Sequence, residues 1–243
     1  MDETHQLPSS FRIGDELRLY AVGDVHGRVD LLDDVLRKID ADLQMRPVRR
    51  ALRIFLGDYI DRGRHSREVI DRLIELGDGC EVHCLKGNHE KVLVDYIRNP
   101  AAFQSWRPIG GLETLASYGL SCTLNPGEQE QHRLWTELRA ALPARHLAFL
   151  GQLKPSLSID DVFFVHAGVR PGVPLDAQQE MDLIWIRDEF LRYDGAFGKF
   201  IVHGHTPVRA PDVRTNRINI DTGAYVTGRL TCLWIEGACF GFL

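Results

Sequence analysis

Long hydrophobic runs, an excess of basic residues and a secretion signal are all missing from this sequence. No stretch reaches the roughly 18 consecutive apolar residues of a membrane-spanning helix, so no membrane partner is expected. The formal net charge is −5, and a general nucleic-acid-binding protein needs a basic face, so no nucleic-acid partner is expected either. The first ten residues are polar and lack the basic and apolar regions of a signal peptide, which predicts a cytoplasmic protein.

Cysteine is also scarce, and its pattern argues against a disulfide framework. The five cysteines are odd in number and form no Cys-x-x-Cys motif, so buried free thiols in a reducing compartment are expected. With 44% hydrophobic and 26% charged residues, the composition is that of a soluble globular protein. Its 243 residues suffice for one large domain, and no linker or repeat divides them, so we predict a single domain over residues 1–243.

Five short apolar runs are each followed by glycine or histidine and then by residues that commonly bind metals. The clearest is Leu52–Leu56, which leads through Gly57 into Asp58 and predicts a buried strand that ends at a carboxylate. Ligand sites in open α/β sheets form beyond the carboxyl ends of strands, so five such endings predict one shared site. The endings are Gly23-Asp24-Val25-His26-Gly27, Gly57-Asp58-Tyr59-Ile60-Asp61-Arg62-Gly63, Gly87-Asn88-His89-Glu90, His166-Ala167-Gly168 and Gly204-His205-Thr206-Pro207.

Together these motifs resemble the signature of the calcineurin-like metallophosphoesterases. GDVHGR, GDYIDRG, GNHE, HAG and GHTP occur in the order and form of the family's PPP branch, the serine/threonine phosphatases, and are most similar to its bacterial and bacteriophage lambda members. The resemblance extends over roughly residues 17–235. It implies an α/β fold in which a two-sheet β-sandwich is flanked by helices, and it implies a phosphoester hydrolase.

Alternating strand and helix patterns predict a mainly parallel sheet in the first part of the chain. Strands are expected at Leu17–Val22, Leu52–Leu56 and Glu81–Lys86, with amphipathic helices between them that form right-handed βαβ units. Ser66 is a candidate N-cap for the second of these helices. Residues from roughly 98 to 152 show helical spacing without a strand pattern, and this segment is named the helical insertion.

The second part of the chain predicts further strands. A β-hairpin is expected over Leu157–Ile159 and Val162–Val165, followed by a buried strand over Phe200–Val202. Three tail segments with glycine-rich turns suggest a second sheet packed on the first, namely Ile218–Ile220, Leu230–Ile235 and Cys239–Leu243. Within the helical insertion, Trp106 begins a WxxxGG stretch similar to one in bacterial PPP phosphatases, and it is interpreted as a core residue rather than a substrate contact.

Six motif residues carry nitrogen or oxygen ligands and no thiolate, a set that suits Mn²⁺, Fe or Zn²⁺, with Mn²⁺ favoured. They are Asp24, His26, Asp58, Asn88, His166 and His205. Six ligands are too many for one tetrahedral site, whereas two divalent ions about 3.5–4 Å apart with one bridging carboxylate would use them all. The resemblance implies that Asp24, His26 and Asp58 hold the first ion. It implies that the second is held by Asp58, Asn88, His166 and His205, which makes Asp58 the bridge.

Two positions near the last motif separate this chain from other patterns. His203 precedes Gly204, whereas the family ligand is the histidine after that glycine, so His203 is interpreted as a supporting residue. The other branch of the superfamily has a second histidine two positions beyond the first, and Pro207 stands there in this chain. This difference argues against a nuclease or a cyclic-nucleotide phosphodiesterase.

Four more residues are candidates for the chemistry of phosphoester hydrolysis. Arg62, and Arg187 by resemblance, are expected to bind phosphate oxygens, because a guanidinium pairs with phosphate through two hydrogen bonds. His89 is the predicted general acid, and Asp61 is expected to orient its ring and stabilise its charge. Two metal ions make hydroxide available near neutral pH, and no Cys-x₅-Arg loop is present, so direct in-line attack without a phosphoenzyme is expected.

The sequence leaves the substrate open. The first prediction is a phosphoprotein phosphatase acting on serine and threonine, with phosphotyrosine as a further substrate. The alternative is a hydrolase of small phosphoanhydrides such as diadenosine tetraphosphate, with symmetrical cleavage, since a relative with the same core has this activity. A third hypothesis, a catalytically silent scaffold, is disfavoured because no predicted ligand and neither member of the His89–Asp61 pair is missing.

Overall fold

The computed structural model of the protein describes residues 4–8 and 10–243, so residues 1–3 and Ser9 of the polar start lie outside it. The described strands are β1 His5–Gln6, β2 Leu17–Val22, β3 Arg50–Phe55, β4 Val82–Cys84, β5 Ser156–Ile159, β6 Val162–Val165, β7 Phe200–His203, β8 Asp212–Val213, β9 Arg217–Asn219, β10 Cys232–Glu236 and β11 Cys239–Phe242. The helices are α1 Val29–Met45, α2 Ser66–Gly77, α3 Asn88–Arg98, α4 Phe103–Trp106, α5 Gly111–Ser117, α6 Glu128–Ala141, α7 Ala144–Gln152, α8 Glu180–Trp185, α9 Asp188–Leu191 and α10 Ala224–Thr227.

The described strands form two mixed sheets. The first has six strands in the order β1-β11-β10-β2-β3-β4, with β2, β3 and β4 parallel and β10 antiparallel to β2. The second has five strands in the order β5-β6-β7-β9-β8, with β6, β7 and β9 parallel. Parallel neighbours present their carboxyl ends at the same edge, so the loops after β2, β3, β4, β6 and β7 supply the site.

Alternation along the strands places apolar side chains on both faces of each sheet. In β2, Leu19 and Ala21 belong to the cluster between the sheets, whereas Tyr20 and Val22 pack with the helices on the outer face. In β6, Phe164 faces the first sheet and Phe163 packs on the α8–α9 side. The α/β fold predicted from the sequence, two sheets flanked by helices, is confirmed.

Strand β2 and the β5–β6 hairpin lie where the sequence predicts them, and the boundaries of β3, β4, β5 and β7 differ by one to two residues. The assignment of all three tail strands to a second sheet was wrong. Only β9 joins that sheet, whereas β10 and β11 extend the first one. The reason is that the chain returns antiparallel along β2, where Leu233 pairs with Ala21, and a strand pattern does not specify its partner. The first sheet is therefore mixed rather than mainly parallel.

Helices fill the stretch of the described chain between β4 and β5, from α3 to α7. The capping prediction for Ser66 was wrong, since α2 begins at this residue and its N-cap is His65. The Ser66 hydroxyl instead accepts a hydrogen bond from the Asp61 backbone N–H at 3.0 Å. Among the described residues no helix has both the length and the apolar character to cross a membrane, and all five cysteines are free thiols.

Candidate two-metal active site

The motif loops meet around the buried side chain of Asp58, which follows β3. The Nε2 atoms of His26, His89 and His166 lie 3.6, 3.7 and 3.4 Å from Asp58 Oδ2. His26 and His166 come from the loops after β2 and β6, His89 comes from the first turn of α3, which follows β4, and all three are at most 2% exposed. The carboxylate that the sequence singles out as a bridge therefore has imidazoles from both sheets around it.

Backbone strain marks the same loops. Among the described residues, six non-glycine residues have positive φ, and five of them belong to the motifs: His26, Asp58, Asp61, Arg62 and His205. Such conformations cost about 1–3 kcal/mol each and persist only where the surroundings impose them, which occurs mainly at functional sites. The sixth residue, Asp160, lies in the β5–β6 hairpin turn, where positive φ is ordinary.

The second predicted ligand set is assembled in the structure. The ligand atoms of Asp58, His166 and His205 all lie within 4.8 Å of one another. His166 Nε2 is 3.0 Å from Asn88 Oδ1 and 3.2 Å from His205 Nδ1. Burial lowers the pKa of His205 to about 2, so this imidazole is neutral and able to bind a metal. Burial also opposes protonation of His166, but the charges of Asp58 and Asp24 raise its pKa to about 9.

The first predicted ligand set is assembled only in part. His26 and Asp58 form a second close group, but its third member is His89, whereas Asp24 is in neither of the two groups found among the described residues. Asp24 Oδ2 accepts a hydrogen bond from the His205 backbone N–H at 3.1 Å, so Asp24 faces the other motif loop. Its assignment as a ligand stays a prediction, as do those of the other five residues.

Unpartnered polar atoms at this place fit bound cations. Asp24 Oδ1 and His205 Nε2 are buried and have no hydrogen-bond partner among the described residues. Burial and the neighbouring Asp221 raise the pKa of Asp24 well above its ordinary value, and the charge of His166 offsets them only in part. Divalent ions would supply further positive charge, and the imidazole, carboxylate and amide donors suit them. The residues therefore fit the two-metal centre that the sequence predicts.

Asp221 was missed by the sequence reasoning, because it lacks the glycine or histidine that marks the other endings. It directly follows Ile218-Asn219-Ile220 and precedes Thr222-Gly223. Its carboxylate accepts from the Gly223 backbone N–H at 2.9 Å, and burial raises its pKa to about 6. Lying beside Asp24, it adds to the negative potential of the site.

Glu90 was also given no role, and it holds two motif loops together. Its Oε2 accepts from the backbone N–H groups of Asp58 at 2.9 Å and Gly87 at 3.0 Å, and its Oε1 accepts from Tyr59 at 2.7 Å. A Cβ atom at Gly87 would collide with the Asp58 carboxylate, which explains the glycine at this close approach. This clamp fixes the distance between the predicted ligands Asp58 and Asn88.

The predicted acid pair has the geometry that its role requires. His89 Nδ1 lies 2.7 Å from Asp61 Oδ2, so Nε2 is directed toward Asp58 and the site. Burial opposes a charged His89, but the charge of Asp58 and the hydrogen bond to Asp61 outweigh it and raise the pKa of the imidazole. The charged form of His89 is therefore favoured beside the predicted metal ligands.

The two predicted phosphate arginines lie on different sides of the site. Arg62 Nη2 is 3.4 Å from His89 Nε2, and its guanidinium stacks 4.5 Å above the ring of Tyr225. Arg187 is exposed between α8 and α9, close enough for its charge to help lower the pKa of His205. Trp185, which ends α8, lies edge-on at 6.0 Å from the His205 ring. Sequence reasoning gave no role to either aromatic residue.

His203 is separate from both groups of close ligand atoms. Its ring is fully buried and packs edge-on against Phe190 at 4.8 Å. Its Nδ1 lies 3.2 Å from the carbonyl oxygen of Gly204. This surrounding agrees with the interpretation of His203 as a supporting residue, which remains a prediction.

Comparisons with known proteins point to one family. The model of the calcineurin-like phosphoesterase family matches residues 17–230. Curated relatives named bis(5'-nucleosyl)-tetraphosphatase PrpE [asymmetrical] include one from Anoxybacillus flavithermus, 28% identical over 232 residues, or 87% of this chain and 88% of the relative. Another, from Geobacillus thermodenitrificans, is 29% identical over 234 residues, with coverage of 87% and 88%.

Solved structures show the same fold. A crystal structure of a candidate diadenosine tetraphosphatase superposes with a TM-score of 0.66 at 20% identity, over 93% of this chain and 92% of that one. A cold-active protein-tyrosine phosphatase of a psychrophilic Shewanella gives a TM-score of 0.55 at 18% identity, over 93% and 78% of the two chains. At these identities the likeness concerns the fold alone.

Proposed function

The chain belongs to the calcineurin-like phosphoesterase family, and we propose that it is a two-metal hydrolase of phosphate esters and anhydrides. The observation that carries the proposal is the convergence on Asp58 of imidazoles from both sheets, with the His89–Asp61 pair and Arg62 beside them. When bound, two divalent cations supply Lewis-acid charge and make hydroxide available near neutral pH. Asp24, His26, Asp58, Asn88, His166 and His205 would hold them.

The chain's own residues divide the remaining work. Arg62 and Arg187 neutralise and orient the phosphate oxygens from two sides, because a guanidinium offers paired donors to phosphate. His89, charged and directed at the site through Nε2, donates a proton to the leaving oxygen. Asp61 binds the Nδ1–H of the imidazolium, which leaves the proton on Nε2 as the one that is donated.

Dinucleoside tetraphosphates are the first candidate substrates. The curated relatives that align with most of this chain carry that activity in their names. Aromatic rings beside both predicted ion positions support a nucleotide, with Tyr225 5.3 Å from His26 and Trp185 6.0 Å from His205. Such rings can stack on nucleobases, which adds binding energy without base selectivity. The relatives are named as asymmetrical enzymes, so ATP and AMP, rather than two molecules of ADP, are the expected products.

Phosphoserine and phosphothreonine proteins are the second candidate class, and the acid pair supports them. An alkoxide is a poor leaving group and needs a proton, whereas a nucleoside phosphate leaves readily without one. A charged, tightly held His89 therefore has most to contribute to an alkyl monoester. One screen of the Mn²⁺-loaded protein tests both classes, with diadenosine tetraphosphate, phosphoserine and phosphotyrosine peptides and p-nitrophenyl phosphate.

The outcomes of this screen separate the proposals. The expected result is hydrolysis of p-nitrophenyl phosphate, with diadenosine tetraphosphate preferred by kcat/KM over either peptide. A preference for phosphopeptides would replace the first substrate class by the second. No hydrolysis of any substrate by protein shown to hold two ions per chain would refute the proposed function.

A further inference from the structure

The helical insertion reaches the acid pair through two side chains. Thr114, in α5, donates from Oγ1 to Asp61 Oδ1 at 2.6 Å and accepts from the Asp61 backbone N–H at 2.9 Å. Trp106, at the end of α4, donates from its indole N–H to the Asp61 carboxylate at 3.1 and 3.0 Å. Trp106, Thr114 and Asp61 are all 0% exposed. The residue that holds His89 is thus itself held by two donors from the insertion.

Resting on the proposed function, we propose that Trp106 and Thr114 are positioning residues for proton donation. They fix the Asp61 carboxylate so that one oxygen stays on His89 Nδ1 and the imidazole keeps Nε2 directed at the leaving group. The helical insertion then contributes to catalysis through Asp61, in addition to its packing in the fold.

The backbone at this position needs external support. Asp61 and Arg62 have φ of 68° and 65°, a left-handed conformation that is unfavourable for non-glycine residues. Both of their N–H groups bond to the insertion, that of Asp61 to Thr114 and that of Arg62 to the Gly110 carbonyl oxygen at 3.4 Å. The insertion therefore also holds the strained pair that places the phosphate-binding Arg62 next to the acid.

The contact between the helical insertion and the Asp61–Arg62 backbone explains the spacing of the WxxxGG stretch. Gly110 has φ of 112°, and a Cβ there would collide with the backbone of Arg62. A Cβ at Gly111 would lie 2.6 Å from the Trp106 ring, so only glycine lets α5 start directly beneath the indole. Trp106, two glycines and Thr114 then surround the Asp61–Arg62 peptide from one side. Core packing alone, in which the Trp106 ring lies tilted against Tyr96 at 4.9 Å, explains neither hydrogen bond to Asp61.

The dependence of kcat/KM on the leaving group distinguishes a positioning role of Trp106 and Thr114 from a packing role. In Thr114→Val the shape is kept and both hydrogen bonds to Asp61 are lost, whereas Thr114→Ser keeps the hydroxyl. Trp106→Phe removes the indole donor together with part of the ring volume, and the control below removes the same atoms elsewhere. We expect Thr114→Val and Trp106→Phe to lower kcat/KM for phenyl phosphate by about tenfold more than for p-nitrophenyl phosphate, because supporting residues of this kind typically change activity about 10–100-fold. Thr114→Ser should restore the wild-type ratio, and metal content should not change in any variant.

A matched control comes from the same insertion. The Trp135 indole donates to the Ile97 carbonyl oxygen at 3.2 Å, far from Asp61 in the hydrogen-bond network, so Trp135→Phe removes an indole hydrogen bond without touching the pair. The ratio of kcat/KM for the two esters should be the same in Trp135→Phe as in the wild type. Losses of equal size on both esters in Trp106→Phe and Thr114→Val would overturn the proposal, and so would the same change of ratio in Trp135→Phe.

A second readout is independent of turnover. The proton on His89 Nδ1, identified by its disappearance in His89→Asn, should give a downfield NMR signal in the metal-free protein because it lies in a 2.7 Å hydrogen bond. We expect this signal to shift upfield or to exchange faster in Thr114→Val and Trp106→Phe, and to be unchanged in Trp135→Phe. An unchanged signal in both test variants refutes the positioning. If the wild type hydrolyses neither ester, the screen that includes diadenosine tetraphosphate decides the proposed function, and the NMR comparison decides this inference.

Discussion

Replacing the general acid should make the rate depend steeply on the leaving group. In His89→Asn the side chain can still fill space near Asp61, but it has no proton to donate. General acid catalysis is worth about 10²–10⁴-fold, which corresponds to about 2.7–5.4 kcal/mol of activation free energy at about 1.36 kcal/mol for each factor of ten. p-Nitrophenolate leaves without a proton, so its ester should lose little. A phosphoserine peptide should lose most of the full factor.

The structure also limits what the substitution costs in folding. Asp61 keeps its hydrogen bonds from Trp106 and Thr114 when His89 is replaced. The free energy of unfolding should therefore fall by about 1–3 kcal/mol, the usual cost of losing one partner of a buried hydrogen bond. A domain of ordinary stability, about 5–15 kcal/mol, tolerates this loss, so the variant should fold.

The assay is kcat for p-nitrophenyl phosphate, phenyl phosphate and a phosphoserine peptide, plotted against the pKa of the leaving group. Chemistry must limit the rate on each substrate, which a solvent isotope effect establishes. His89→Asn should steepen the negative slope, and Asp61→Asn should do so more weakly because Asp61 does not donate the proton. Equal losses along the series refute proton donation. If metal content falls as well, His89 is a ligand with His26 and Asp58, with which the structure groups it.

Three further predictions follow from the site. Chelator treatment should abolish hydrolysis, and Mn²⁺ should restore it; ions at about 100 times their Kd should also stabilise the fold by about 2.7 kcal/mol, which calorimetry measures as a rise of about 5–11 °C in Tm. Full activity in a preparation free of metal by elemental analysis would contradict this. His205→Ala should lose one ion per chain and nearly all turnover, whereas His203→Ala should keep two ions and a measurable rate; the opposite pattern of metal content would reverse the assignment. Glu90→Gln should lower the free energy of unfolding in urea by about 3 kcal/mol and weaken metal binding, because an amide cannot accept from all three backbone N–H groups at once. Glu180→Gln, which changes a partly exposed pair with Lys86, should cost less than about 1 kcal/mol; similar losses in the two variants would remove the special role of Glu90.

The residues that could be predicted from the sequence are those that stand at the end of a strand and are marked by a neighbouring glycine. Asp58 follows an apolar run and a glycine, so its place at a strand end could be deduced, and β2 has the predicted boundaries. The same logic brought Asn88, His166 and His205 together, because parallel strands end at a common edge. Asp221 directly follows Ile220 without such a glycine, which is why the same logic missed it.

Contacts between distant segments were not predictable. The hydrophobic pattern indicates only that Trp106 is a core residue. Its indole N–H reaches Asp61 because of the course that the helical insertion takes, which the pattern does not specify. Thr114 likewise acts through a hydrogen bond to Asp61, 53 positions away along the chain. Glu90 accepts hydrogen bonds from Tyr59 and Asp58, which lie 31 and 32 positions away. The assignment of β10 and β11 to the second sheet was wrong for the same reason, because the pairing of β10 with β2 joins residues from opposite ends of the chain.

That pairing has a consequence for how the protein is made. Until residue 236 has left the ribosome, one edge of the apolar strand β2 has no neighbour, although its other partner, β3, is already present. An unpaired apolar edge can pair with other chains, so the nascent protein carries an aggregation risk throughout most of its synthesis. His166 and His205 also emerge late, so a chain still under synthesis lacks two of the six predicted metal ligands until the second sheet forms.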